Sequence, residues 1–265
     1  MERLFRSIIL LDKPAGPTSL EAAETVRRIF SAKKSGHAGT LDPAATGILI
    51  IALDEATKAM PVLMNLPKEY EGVMHVHRDF SGSELREAVK SFTGKIIQKP
   101  PVRSAVSRQP RERDIYSFEI TGISGRDVSF RVGCQAGTYV RKLCSDIGER
   151  MATQAHMKSL RRTAAGPFSL KDCVTMERLE RSPEKFIIPL EKAFQKIGVK
   201  RILVKESAVQ SILNGSPVLK GFAEKTDPGM RKGEYAGIFS RSRLIALGVA
   251  TGGKSVAKTE RIFKF

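Results

Sequence analysis

Residues 7–16, SIILLDKPAG, hold a short apolar run broken by Asp12, Lys13 and Pro14 and ended by a proline–glycine turn, which predicts a buried strand. SLEAAETVRRIF follows with Ala22, Val26, Ile29 and Phe30 at helical spacing and Ser19 placed to cap the helix. ILIIALDEAT, residues 48–57, is apolar and β-branched and predicts a central strand, and the alternation of YEGVMHVH predicts another. SGSELREAVKSFTG carries the clearest helix signals. Ser81 and Glu84 have capping-box spacing, Leu85, Ala88, Val89 and Phe92 form one stripe, and Gly94 ends it. IYSFEITGIS and DVSFRVGCQAG predict antiparallel strands joined at Gly125. TYVRKLCSDIGERM predicts a helix buried along Val140, Leu143, Cys144, Ile147 and Met151.

Strands and helices interleave without a βαβ rhythm and hairpins are frequent, so the pattern predicts an α+β fold on a mixed, largely antiparallel sheet. From about residue 198 the character changes to short strands, with one helical piece, SAVQSILNG, and glycines at 215, 221, 229, 233, 237, 248, 252 and 253. A catalytic domain over 1–197 and a small β-barrel-like domain over 198–265 is the expected division.

Charge changes the picture more than composition does. The 265 residues hold 45 Lys and Arg against 28 Asp and Glu, a net +17. Such an excess favours a polyanion, because basic groups on nucleic acid release condensed counterions. The basic positions gather in four places near turns: 33–34, 107–114, 159–166 and 228–235. Together they read as a nucleic-acid footprint. No stretch approaches the length of an apolar membrane span, and the N-terminus lacks the pattern of a signal peptide. Three cysteines without C-x-x-C spacing fit a reducing compartment and neither a zinc site nor a disulfide framework. His75 and His77 would share one face of a strand, which without a third ligand makes no metal site. His156 and Met157 are expected in the core.

Candidate chemistry centres on SGHAGTLDPAATG, residues 35–47, where three glycines and a proline surround Asp42. Asp42 could simply cap a short helix beginning at Pro43. A second oddity is AGTYVRKL. With Thr138 as N-cap, Arg141 falls in the first helical turn, at the positive end of the macrodipole, where an exposed cation costs roughly 0.3–1 kcal/mol. An anion facing it would remove that cost, and Asp42 is a candidate.

GHAGTLDPAATG resembles the signature loop of pseudouridine synthases of the class typified by the bacterial enzyme that modifies the tRNA T-loop. DKPAGPTS, KEY at 68–70, AGTYVRKLCSDIG and AHMKSLRRTAAGPF follow in the same order as in that family. QKPPVRSAVSRQPRERDIY is similar to the archaeal, dyskerin-related branch that works in H/ACA guide-RNA particles. VKESAVQSILNGSPVLKGF with RKGEYAGIFSRSRLIALGVA resembles a PUA RNA-binding domain.

The resemblance implies that Asp42 attacks the target uridine at the base or at ribose C1′, after which the glycosidic bond breaks, the uracil turns and a C–C bond forms. It implies no cofactor and no metal. Arg141 would hold the Asp42 carboxylate ionised in a water-excluding site. Tyr70 would stack on the flipped base and help move a proton, Tyr139 and Leu160 would line the pocket, and His37 would sit beside the displaced nucleotide. Lys13 and Pro14 would anchor a turn beneath the site.

The implied partners are RNA rather than DNA, namely an H/ACA guide RNA with rRNA or tRNA substrate, and small accessory proteins. Two departures from the pattern stand out: the first strand starts close to Met1, without the usual extension, and Gln154 stands where many relatives have glycine. The absence of a Lys-rich tail fits an archaeal, cytoplasmic enzyme. Three readings remain open: a guided synthase, a stand-alone tRNA synthase, and a non-catalytic RNA-binding scaffold.

Overall fold

The computed structural model describes residues 6–99 and 109–263. The segment KPPVRSAVSRQ therefore lies largely outside the described residues.

The chain opens with β1 (Arg6–Lys13), α1 (Ser19–Ile29), β2 (Ser35–His37), β3 (Thr46–Asp54), α2 (Met60–Met64), β4 (Lys68–Val76), α3 (Gly82–Ser91) and β5 (Gly94–Gln98). It continues with β6 (Arg111–Ser124), β7 (Asp127–Cys134), α4 (Val140–Arg150), β8 (Ala155–Ala165), β9 (Phe168–Ser169), α5 (Met176–Arg181), β10 (Ile188–Pro189) and α6 (Leu190–Ile197). These strands form a ten-stranded sheet in the order β10-β1-β3-β8-β4-β7-β6-β5, with β2 beside β3 and β9 beside β8. Every pairing in it is antiparallel except β3 with β8, which touch only at Thr46–Arg161 and Gly47–Arg162. The mixed, largely antiparallel α+β architecture expected from the sequence is the one observed.

β1 and β3 lack polar alternation because both their faces are covered. Ile8, Leu10, Ile48, Ile50 and Ala52 join one core, and Ile9, Leu11, Leu49, Ile51 and Leu53 join another under α1 and α5. On the far half of the sheet, α3 and α4 bury Leu85, Val89, Leu143 and Ile147 against Met74, Phe130 and Val132.

α3 starts as expected, with the Ser81–Glu84 capping box formed. α1 is capped one residue earlier than expected. Thr18 accepts from the Glu21 amide and Glu21 returns to the Thr18 amide, leaving the Ser19 hydroxyl free for another task.

Beyond Gly198 come β11 (Lys200–Val204), α7 (Val209–Leu213), β12 (Val218–Leu219), β13 (Ala223–Thr226), β14 (Tyr235–Ser240), β15 (Arg243–Ala250) and β16 (Ser255–Ile262). They make a second sheet, ordered β12-β16-β15-β14-β11-β13. Phe239, Leu244 and Leu247 from this sheet, with Phe263 just beyond β16, pack into the same core as Ile8 and Ile50. Arg6 Nη1 donates to Leu244 O at 2.5 Å and Lys58 Nζ to Ile262 O at 2.6 Å, tying the two sheets together.

Candidate active site

The loop between β2 and β3 is positioned from below by polar groups it did not supply. The Ser19 hydroxyl donates to Leu41 O and accepts from Leu41 N, at 3.0 and 2.8 Å. Gly16 N and Lys13 Nζ both donate to Pro43 O, at 2.9 and 3.2 Å, and Lys13 also bonds Pro14 O and Pro17 O. Lys13 is fully buried; burial lowers its pKa, and the Asp42 charge partly opposes that. The expectation that Lys13 anchors the turn describes these contacts well.

Asp42 caps no helix. Residues 43–44 form a turn closed by Ala45 N donating to Asp42 O at 3.0 Å, and β3 follows at Thr46. The side chain points elsewhere: Asp42 Oδ2 accepts from Arg141 Nη2 at 2.5 Å, across 99 positions of sequence. Arg141 is the second residue of α4, whose first turn contains no acidic residue, so Asp42 supplies the anion that this helix end lacks.

Two expectations need correction here. The N-cap is Tyr139, because the Thr138 hydroxyl donates instead to Gln135 O at 2.8 Å. The ion pair is not shielded from water, since the Arg141 and Asp42 side chains are 63% and 47% exposed.

The other expected site residues sit on β2, β4, β8 and at the start of α4, at different depths. Tyr139 is held through its backbone, its N–H donating to the Gln98 side chain at 3.0 Å and its carbonyl accepting from it at 3.2 Å. Tyr70 projects from β4 opposite Arg162 of β8, whose guanidinium carbon lies 5.6 Å from the ring centroid. Burial pushes the Tyr70 pKa up, against the opposing pull of Arg162, so the phenol stays protonated at neutral pH. Leu160 is two positions upstream of Arg162. It lines a cleft of about 430 Å³ together with Ala44 and Thr46, whereas Asp42, Tyr70, Tyr139, Arg141 and His37 do not line that cleft. His37 ends β2 half-buried. Burial first and Arg162 second lower its pKa, so it is neutral at pH 7, and its Nδ1 is buried without a hydrogen-bond partner.

Sequence reasoning missed Arg162, which it counted as surface charge within 159–166. Arg162 is 1% exposed and so belongs to no open footprint, whereas its neighbour Arg161 pairs with Asp12 at 2.7 Å and still lines the cleft beside Leu160. Lys33, Lys34, Arg231 and Lys232 are exposed as expected. Lys68, which opens the KEY motif, was also unassigned. It is buried beside Arg162, which together with desolvation pushes its pKa down to about 8.

Elsewhere, His156 is exposed rather than in the core. It faces His75 across β4 and β8, and its Nδ1 lies 2.7 Å from His77 Nε2. Met157 is partly buried against the core, as expected. Among the described residues no group of three or more His, Cys, Asp or Glu is placed to hold a metal ion. Burial raises Cys134 to about 11 and Cys144 to about 12, so neither thiol is a nucleophile at neutral pH. Gln154 has φ of +55°, which explains why glycine suits that position.

Comparison with known proteins adds the following. The N-terminal domain of the TruB family of pseudouridylate synthases matches residues 27–140, and the C-terminal domain of tRNA pseudouridylate synthase B matches residues 141–195. A probable tRNA pseudouridine synthase B from Methanopyrus kandleri is 43% identical over 94% of this chain and 77% of its own length. One from Methanocaldococcus jannaschii is 43% identical over 86% and 70%. Among solved structures, a chain of a Cbf5–Nop10–Gar1 complex superposes with a TM-score of 0.89 at 36% identity, covering 99% of this chain and 86% of that one. A chain of an H/ACA ribonucleoprotein bound to a substrate RNA containing 2′-deoxyuridine gives 0.87 at 33% identity, covering 100% and 87%.

Proposed function

This chain belongs to the TruB family of pseudouridylate synthases, and we propose that it isomerises uridine in RNA selected by an H/ACA-type guide, with Asp42 as the nucleophile. The observation that carries the catalytic assignment is the 2.5 Å contact between Arg141 and Asp42. A carboxylate nucleophile must remain ionised and aimed. An arginine aims it without offering a proton at neutral pH. Asp42 then attacks the uridine, the N1–C1′ bond breaks, the base turns and C5 bonds to C1′. The bond to Asp42 breaks again, C5 gives up its proton and N1 takes one up, so the enzyme is regenerated and the product is an isomer of the substrate.

The target base must leave its stack before any of this, and an aromatic or apolar face has to replace the lost stacking. Tyr70 supplies that face as a neutral phenol, with Leu160 and Tyr139 completing the pocket and His37 beside the vacated position. The half-exposed ion pair becomes dry only when RNA covers it, which strengthens its electrostatics at the moment of reaction.

Residues 198–265 would act as a PUA-type RNA-binding domain beside a catalytic domain of residues 1–197. Small accessory proteins are expected partners, because one solved chain that superposes on this one comes from a Cbf5–Nop10–Gar1 complex and another from an H/ACA ribonucleoprotein. Free thiols at Cys134, Cys144 and Cys173 support a reducing, cytoplasmic setting.

A second reading is a stand-alone enzyme acting on tRNA, favoured by the names of the curated relatives. Incubating the protein with labelled rRNA fragment or tRNA, each with and without guide RNA and accessory proteins, separates the two. Pseudouridine in rRNA only when the guide is present supports the guided reading. Pseudouridine in tRNA from the protein alone supports the other.

A further inference from the structure

We propose that Arg162 is a positioning residue for the reaction, fixing the Asp42 loop at both ends and setting it against the Tyr70 ring. The inference rests on the synthase reading above.

Its side chain grips the leading end of the loop. Nη1 and Nη2 donate to Gly39 O at 3.2 and 3.1 Å, and Nη2 also donates to Thr40 O at 3.3 Å. Its backbone meets the trailing end. Gly47 pairs with Arg162 in the short parallel contact between β3 and β8, so closely that a Cβ on Gly47 would lie 2.2 Å from Arg162 O. Asp42 sits between these two grips. The same guanidinium lies against Tyr70, so one residue relates the loop to the ring that would stack on the base.

The chemistry of the side chain argues for this role over plain packing. Arg162 is buried, its Nε has no hydrogen-bond partner, and among the described residues it forms no ion pair with a carboxylate. Lys68, another cation, is close by. A buried charge held on two carbonyls beside a like charge is a poor way to stabilise a fold. A planar fork that bridges two successive carbonyls while lying against an aromatic ring is a good way to fix one loop geometry, and lysine cannot reproduce it.

The test uses the full chain with the RNA on which the wild type forms pseudouridine, comparing R162K and R162A with wild type. Three quantities are measured: the single-turnover rate, RNA affinity, and melting temperature. For R162K the proposal expects a single-turnover rate lowered at least thirtyfold, RNA affinity within about twofold of wild type, and a folded protein at the assay temperature. Guanidinium or methylguanidinium at millimolar concentration should restore part of the R162A rate and none of the R162K rate.

A wild-type-like rate in R162K overturns the proposal. So does a rate loss fully accounted for by the unfolded fraction or by weakened RNA binding. If the wild type forms no pseudouridine in any RNA, the synthase reading fails instead, which the wild-type control reveals separately.

Discussion

Lys68 is a charge that the fold accommodates at a cost, and the sign of that cost is measurable. Its pKa falls from 10.5 to about 8 because burial and Arg162 disfavour the ammonium. Between those values the unfolded chain binds more protons than the folded one, so stability rises as pH increases from 8 to 10.5. Below 8 the penalty is fully present, roughly 3 kcal/mol at 1.36 kcal/mol per pH unit. Denaturation of wild type and K68M across this range should show wild type gaining on the variant by an amount of that order. Parallel curves would mean that Lys68 titrates normally. At this scale the contact between Asp42 and Arg141 was legible, suggested by a cation misplaced at a helix start and sharpened by the resemblance of the Asp42 loop to a known family. Arg162 and Lys68 were not, because burial of a basic side chain on a strand depends on which face the register turns inward.

That register is set at the level of elements. β4 and β8 pair with irregularities between Glu69 and Tyr70 and between Val73 and Met74, each of which shifts the partner by one residue. Sequence alternation cannot reveal such shifts, and one step moves a side chain to the other face. The helices α3 and α4 and the β6–β7 hairpin were readable because their signals are local: a capping box, a 3.6-residue stripe, and a turn at Gly125 with φ of +58°. Thr138 looked equally local as a cap, yet its hydroxyl was taken by Gln135 in the preceding turn. Gly47 gives the sharpest test at this scale. It has φ of +104° and no room for a Cβ against the β8 backbone. Gly47→Ala should cost roughly 3 kcal/mol in urea unfolding. A loss under about 1 kcal/mol would show that the β3–β8 contact is soft.

For the whole molecule, the change of character near residue 198 was legible in glycine spacing and short strands. The shared core was not, because Phe239, Leu244 and Phe263 look like ordinary interior residues of a separate unit until the two sheets are placed side by side. With Arg6 and Lys58 also bridging the sheets, thermal unfolding should give one transition rather than two, and two resolved transitions would contradict a continuous core. The net charge of +17 belongs to this scale as well. If on the order of four phosphates are neutralised in single-stranded contacts, RNA affinity should fall about twentyfold for a threefold rise in salt. A flat response would remove the electrostatic basis of binding. The central claim is the chemistry of Asp42, tested most directly by comparing D42N with wild type in single-turnover pseudouridine formation and RNA binding under identical conditions. The account predicts no product above background with RNA affinity within about twofold of wild type. Appreciable turnover by the asparagine variant would contradict it.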